Sequence, residues 1–307
     1  MTTPNQSAPE QLNDLGEEEI VRRLITGLPQ GSLVLIGPGD DCAVSDAGGE
    51  ELLLHKTDAI VEGVHYLADT DAERVGWKAA ARVVSDFGAM GGRPSELLVT
   101  VALPSDCSMS WLEGLYRGLS RCAKAFQFSI VGGETVGLPE KSPAMISIAG
   151  TGRVARDGFV TRSGGNEGDG IWVTGMLGGS FASGHHLDFR PRVEEGQWLA
   201  AHARPTAMMD LSDGLRRDLP RLATASQCGF ELWQERLPCN EGCSIEQALG
   251  DGEDMELLFS ADAGDWEQEF REQFPTIPLT RIGTLTQLGE GGANELGEGG
   301  WQHFQER

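Results

Sequence analysis

Carboxylates recur at the ends of apolar runs along this chain. Asp40 and Asp41 follow the run Leu33 to Ile36 and a Gly37-Pro38-Gly39 turn, and Thr57-Asp58 follows Glu51 to His55. Glu134 follows Phe128 to Val131 and two glycines, and Asp210 and Asp213 follow Ala207 to Met209. Asp86 is placed differently. It falls on the stripe Val75, Ala79, Val83, Asp86, Met90 of a helical pattern over about 72–90, a spacing that turns it toward a core. Acids that converge without counter-charges lose hydration and repel one another, so the ionised set is costly. Divalent cations remove that conflict. Magnesium prefers hard oxygen ligands and is commonly held by a few carboxylates together with substrate phosphates, so the expected chemistry is several magnesium ions bridging a nucleotide.

Each residue also has a plainer reading. An Asp after a strand ordinarily caps the next helix, which applies to Asp210 and to Ser212, and Gly37 to Asp41 reads equally as a simple turn. Asp86 could be a buried acid paired with an arginine. Arg162 is either a phosphate grip or a solvated turn residue. His65 reads alone as a packed histidine, and the pair His185 and His186 lacks a third metal ligand. Trp301 and Phe304 read as packing residues or as a cover for a cationic ring.

The elements that must position these groups alternate. Residues 1–14 form a polar tail, followed by a helix from Glu17 to about Leu28 with Val21, Leu24, Ile25 and Leu28 on one face. After the long helix come a strand at Leu97 to Leu103, a helix with Ser110 and Glu113 as a capping box, and strands at Phe128 to Val131 and Ala144 to Val154. The second half reads as a strand Ile171 to Thr174, a glycine- and histidine-containing stretch Gly178 to Gly196, and a helix through Leu215, Leu219 and Leu222. Pro220 is a complication there, acceptable only near a first turn. A helix near Ser244 to Leu249, a strand Met255 to Ser260, a helix near 263–274 and a strand Ile277 to Leu285 complete it. The class is α/β or α+β, divided into 15–150 and 151–307.

Composition narrows the partners. The chain has 307 residues, 24 Lys plus Arg against 47 Asp plus Glu, a net charge of −23 and 39% hydrophobic residues. That length supports two cores without staples, and the acidic excess opposes binding to nucleic acid or anionic membranes. No run reaches the roughly 18 apolar residues of a membrane span. Six cysteines without a CxxC pair suit a reducing cytoplasm.

Together the motifs resemble those of one family. Gly39-Asp40-Asp41-Cys42-Ala43, Thr57-Asp58 with Val61-Glu62-Gly63-Val64-His65, Ser85-Asp86 with Ala89-Met90-Gly91, and Gly132-Gly133-Glu134-Thr135 come first. Arg162-Ser163-Gly164, Val173-Thr174-Gly175, Asp210-Leu211-Ser212-Asp213-Gly214-Leu215 and Gly252-Glu253-Asp254-Met255-Glu256-Leu257-Leu258-Phe259 follow, in the order seen in thiamine-monophosphate kinases. The resemblance runs from about Gly16 to Phe304. It implies the two-domain fold of aminoimidazole ribonucleotide synthetase, with the N-terminal domain pairing across a homodimer. It implies ATP-dependent phosphorylation of thiamine monophosphate to thiamine diphosphate with several magnesium ions. Under it Asp41, Thr57, Asp58, Asp86, Asp210 and Asp213 are metal ligands with Asp40 close by and Glu134 in the same set. Gly133, Glu134, Arg162 and Ser212 hold ATP, and His65, Glu253 and Trp301 contact the thiamine substrate.

This chain departs from that pattern at Glu134, where the family usually has Asp, at Val83 in place of an Asn, and at Lys56 in place of a small hydroxyl residue. The Gly178 to Gly196 segment is also short. The alternatives are another ATP-dependent enzyme of the same superfamily, of aminoimidazole ribonucleotide or selenophosphate synthetase type, and a non-catalytic nucleotide or thiamine phosphate binding protein.

Overall fold

In the computed structural model, residues 11–289, 296 and 299–301 are described. The order begins α1 (Glu17–Ile25), β1 (Val34–Ile36), β2 (Ala43–Ser45), β3 (Glu51–Val61), α2 (Ala72–Ala89), β4 (Arg93–Pro104), α3 (Met109–Phe126), β5 (Ser129–Leu138) and β6 (Met145–Ala155). It continues β7 (Gly170–Thr174), α4 (Ser180–Ser183), α5 (His185–Asp188), α6 (Val193–His202), β8 (Ala207–Asp210), α7 (Leu215–Ala225), β9 (Gly229–Leu232), α8 (Ile245–Gly250), β10 (Leu257–Ala261), α9 (Trp266–Gln273) and β11 (Leu279–Thr286).

Two mixed α/β layers result. The first sheet has six strands in the order β1-β2-β3-β6-β4-β5, and the second has five in the order β8-β10-β7-β11-β9. Every pair in the first is antiparallel except β4 with β5, and the second is antiparallel throughout. Period-two burial in β3 turns Leu52, Leu54 and Ile60 into the core and leaves His55 and Thr57 on the other face. That second face of the sheet is open. Leu98, Val131 and Val136 lie exposed there or along the neighbouring edge strand, at 48%, 57% and 42%.

Helix α2 is the hub. Asp71 caps it by accepting from the N–H groups of Glu73 and Arg74 at 3.0 and 3.1 Å. It is buried nearly all round, packing on the first sheet, α3, α5, α6 and β8. Its crossing with α3 is close enough to require glycine: a Cβ on Gly118 would meet the Glu73 carbonyl oxygen at 1.9 Å. Gly118→Ala is therefore expected to lower unfolding free energy by about 1–3 kcal/mol, read by chemical denaturation.

Several expectations are corrected. In α1 the buried residue is Ile20, whereas Val21, Leu24 and Leu28 are exposed. Ser108, not Ser110, caps α3, accepting from Trp111 N–H at 3.2 Å. Pro220 sits inside α7, well past its first turn. Gln302, His303 and Phe304 lie outside the described residues. No described helix is long and apolar enough to cross a membrane.

Candidate active site

The acids that end separate elements converge where the two layers meet over α2. Asp41 arrives on the loop after β1, Asp86 on α2 and Asp210 at the end of β8; a ligand oxygen from each lies within 4.8 Å of the others, and all three residues are buried. The Ser85 hydroxyl donates to Asp210 Oδ2 at 2.6 Å, and Lys56 Nζ donates to Asp86 Oδ1 at 2.7 Å. Arg162, on the loop after β6, donates through its side chain to Asp41 Oδ1, and its backbone N–H reaches Asp40. Asp41 Oδ2 is buried with no hydrogen-bond partner among the described residues. Burial, with the neighbouring carboxylates, pushes Asp86 well above the usual carboxylate range in spite of Lys56, and pushes Asp210 to about 6. Burial and the Asp41 charge likewise raise Asp40 to about 6.

A cleft of about 1150 Å³ opens beside this cluster. It is lined by Lys56, Asp58, Arg82 and Arg162, by Ser212, Asp213, Arg217 and Arg221, and by Glu17 and Glu18 of α1. The helix-cap reading of Asp210 and Ser212 does not hold. Gly214 stands at the N-cap of α7, and Asp218 inside the helix accepts from the N–H groups of Ser212 and Asp213, at 3.0 Å each. Asp210 is thereby left facing the cluster. Arg221 bonds both Asp213, at 2.5 Å, and Asp218, at 2.9 Å.

A second group of charges sits next to the first. Arg82 Nε donates to Asp58 Oδ2 at 2.7 Å and Arg82 Nη1 to Glu253 Oε1 at 2.9 Å. The buried Lys78 ammonium donates to Glu253 Oε2 and to the His65 carbonyl, both at 2.7 Å. Burial alone would raise both acids, but Lys78 and Arg82 hold Glu253, and Arg82 and Lys56 hold Asp58, below their ordinary values. His65 accepts from the Val61 N–H at Nδ1, 3.1 Å, which fixes a neutral ring; burial and Arg82 lower its pKa to about 4. Trp301 is tied to the cleft by its N–H to the Asp213 carbonyl, 3.0 Å.

Three residues assigned to the site stay apart from it within one chain. Thr57 is exposed on the open face of β3. Gly133 and Glu134 lie on β5, the edge strand, three strands from β3, about 14 Å at ordinary strand spacing. Glu134 pairs with Thr100, one step from the row that joins Asp58, Ile148 and Val99, so it points to the opposite face from Asp58. Among the described residues its Oε1 accepts only the neighbouring Thr135 N–H, at 3.0 Å. His186 is buried with Nδ1 on the Ser180 carbonyl at 3.1 Å, and its ring stacks on Phe181. Neither His185 nor His186 joins a metal-binding group among the described residues.

Sequence reading missed Lys78 and Arg82, although charges four residues apart beside the Asp86 stripe were a visible signal. It also missed Arg217 and Arg221, whose only signal was an unusual run of arginines in an amphipathic helix.

The comparisons agree with the geometry. The family described as AIR synthase related protein, N-terminal domain, matches residues 39–154. A thiamine-monophosphate kinase from Rhodopirellula baltica is 35% identical over 284 residues, covering 84% of this chain and 84% of the relative. The chain belongs to the thiamine-monophosphate kinase family. A second member, from Aquifex aeolicus, is 34% identical over 296 residues, covering 87% of this chain and 92% of its own. The solved structure "AaThiL complexed with AMPPCP and TMP" superimposes with a TM-score of 0.83 at 30% identity, covering 97% of this chain and all of the other. Among thiamine-monophosphate kinases, then, this one carries the two-layer fold with its acids gathered at the layer junction.

One buried acid here makes a stability prediction. Asp254, beside Glu253, accepts the Gly178 N–H at both oxygens, 3.0 and 3.2 Å, and burial, with Glu256 and Asp251 nearby, raises it to about 8. The folded state holds this proton more tightly than the unfolded chain, so stability from this group is greatest below about pH 4 and falls as pH rises toward 8. Asp254→Asn is expected to remove a slope of up to about 1.4 kcal/mol per pH unit in that window, measured by denaturant unfolding at pH 5 and pH 8.

Proposed function

We infer that this chain transfers the γ-phosphate of ATP to thiamine monophosphate, giving ADP and thiamine diphosphate. The observation that carries the reading is the buried Asp41, Asp86 and Asp210 cluster facing arginines across one cleft, in a chain of this family. The acceptor is a phosphate monoester with a second pKa of about 6, so it is dianionic near neutral pH and needs no protein base. The obstacle is bringing two polyanions together.

The donor set fits magnesium. Its oxygens are hard, and Asp41 Oδ2 is buried without a partner among the described residues. Asp41, Asp86 and Asp210 would hold the ion, with Asp40, Asp58 and Asp213 at the margin; a dication held there would supply charge neutralisation to phosphate oxygens. Arg162 would leave Asp41 for a phosphate, a bidentate grip suited to its planar fork. Arg217 and Arg221 would draw the other anion toward the N-terminus of α7. Lys78 and Arg82 fix Glu253 and His65 behind the cleft-lining Arg82 and Asp58, where the neutral ring and the held carboxylate would orient the thiamine portion, with Trp301 as a cover for its cationic ring. Alignment of the two substrates then supplies much of the rate.

We further propose a homodimer. Glu134 and Gly133 cannot approach the cluster of their own chain, but β5 is an unpaired edge beside an open, partly apolar face. A second copy on that face would present its β5 to the nucleotide and to Thr57. The two halves suggested by the sequence, 15–150 and 151–307, serve as the proposed domains once the division, which cuts β6, is moved past its end at Ala155. The free cysteines favour a cytoplasmic setting.

An ADP-release assay with magnesium tests the reaction. Release should require thiamine monophosphate and be absent with unphosphorylated thiamine. Release driven by aminoimidazole or selenide substrates instead would select the related synthetases, and binding of both ligands without release would select a non-catalytic protein.

A further inference from the structure

The carboxylate cluster already contains a cation of its own. Lys56 projects from the inner face of β3, and its ammonium lies 2.7 Å from Asp86 Oδ1, with the side chain only 23% exposed. The strand is hydrogen-bonded on both sides, to β2 and β6, so the ammonium is anchored at the cluster and does not sweep solvent. Three carboxylates with Lys56 and Arg162 leave a single net negative charge. Without Lys56 the same groups would carry two, so the ammonium supplies half the charge of one divalent ion. The ammonium also occupies the oxygen of Asp86 that a second ion would need, and a protonated lysine cannot itself ligate metal.

We propose that Lys56 is a built-in cation of this site, standing in for one divalent ion, so that Asp41, Asp86 and Asp210 take a single magnesium. This rests on the magnesium reading above. It makes Lys56 a positioning residue: it holds Asp86 and fixes the ion count at the phosphates without consuming metal from solution.

The test counts Mn²⁺ bound per chain, without nucleotide, by electron paramagnetic resonance in the wild type, Lys56→Gln and Lys56→Arg. The expected result is one additional ion in Lys56→Gln and an unchanged count in Lys56→Arg, which keeps the charge. An equal count in Lys56→Gln and wild type overturns the role of Lys56 while leaving the magnesium reading intact. No binding in either overturns the magnesium reading itself. The wild type alone gives a second check that needs no variant to fold: it should show isolated Mn²⁺ signals, and a spin-coupled pair at the cluster would overturn the proposal.

Discussion

Asp86→Asn is expected to lower kcat for thiamine diphosphate formation by at least about a hundredfold, equivalent to about 2.7 kcal/mol of barrier, while the chain stays folded. The effect is large because Asp86 offers an oxygen within 4.8 Å of both other acids of the cluster and is the partner of Lys56. Asn keeps the shape and one acceptor oxygen but loses the charge that holds a dication. In chelator two effects oppose: Lys56 loses its charged partner, while the repulsion of Asp86 by Asp210 and Asp41 is relieved. The loss should fall on kcat more than on the KM for thiamine monophosphate, since His65, Glu253 and their partners Lys78 and Arg82 are untouched. Steady-state kinetics with circular dichroism checks both parts. Near-normal turnover at low magnesium would remove Asp86 from the site.

The second large effect concerns Glu134. Its alanine variant should be nearly inactive although the side chain is exposed and, among the described residues, bonds only the adjacent backbone. Removing an exposed side chain with no long-range partner costs the fold little, so lost activity would mark a role outside its own chain. Co-expressed with Asp86→Asn chains, it should recover about one quarter of wild-type turnover. In the proposed dimer, random pairing makes half the dimers hybrid, and two-fold symmetry gives each hybrid one intact site. No recovery would place Glu134 outside any shared site.

Much of this site was legible in the sequence because strand ends and helical stripes have fixed periods. Asp86 stood on an inward-facing stripe and Asp41 and Asp210 at the ends of apolar runs, and the structure brings the three together. What the sequence left open depends on pairings across long separations. Lys78 meets Glu253 across 175 residues and Arg162 meets Asp41 across 121, and no local period encodes either. Helix α6 was hidden because Gly196 interrupts a weakly amphipathic stretch with no side-chain cap. Strands β2 and β9, at three and four residues, are too short to show alternation. Helix α1 misled because its apolar stripe borders the cleft and solvent, leaving only Ile20 in a core. The face on which Glu134 points became clear only once the register of β4 and β5 was known.

The most direct measurement follows the phosphate itself. With ATP labelled at its γ-phosphate, magnesium and thiamine monophosphate, the label should appear in thiamine diphosphate, one for each ADP formed. Label released as free phosphate while thiamine monophosphate remains unchanged would contradict transfer between the two substrates in this cleft.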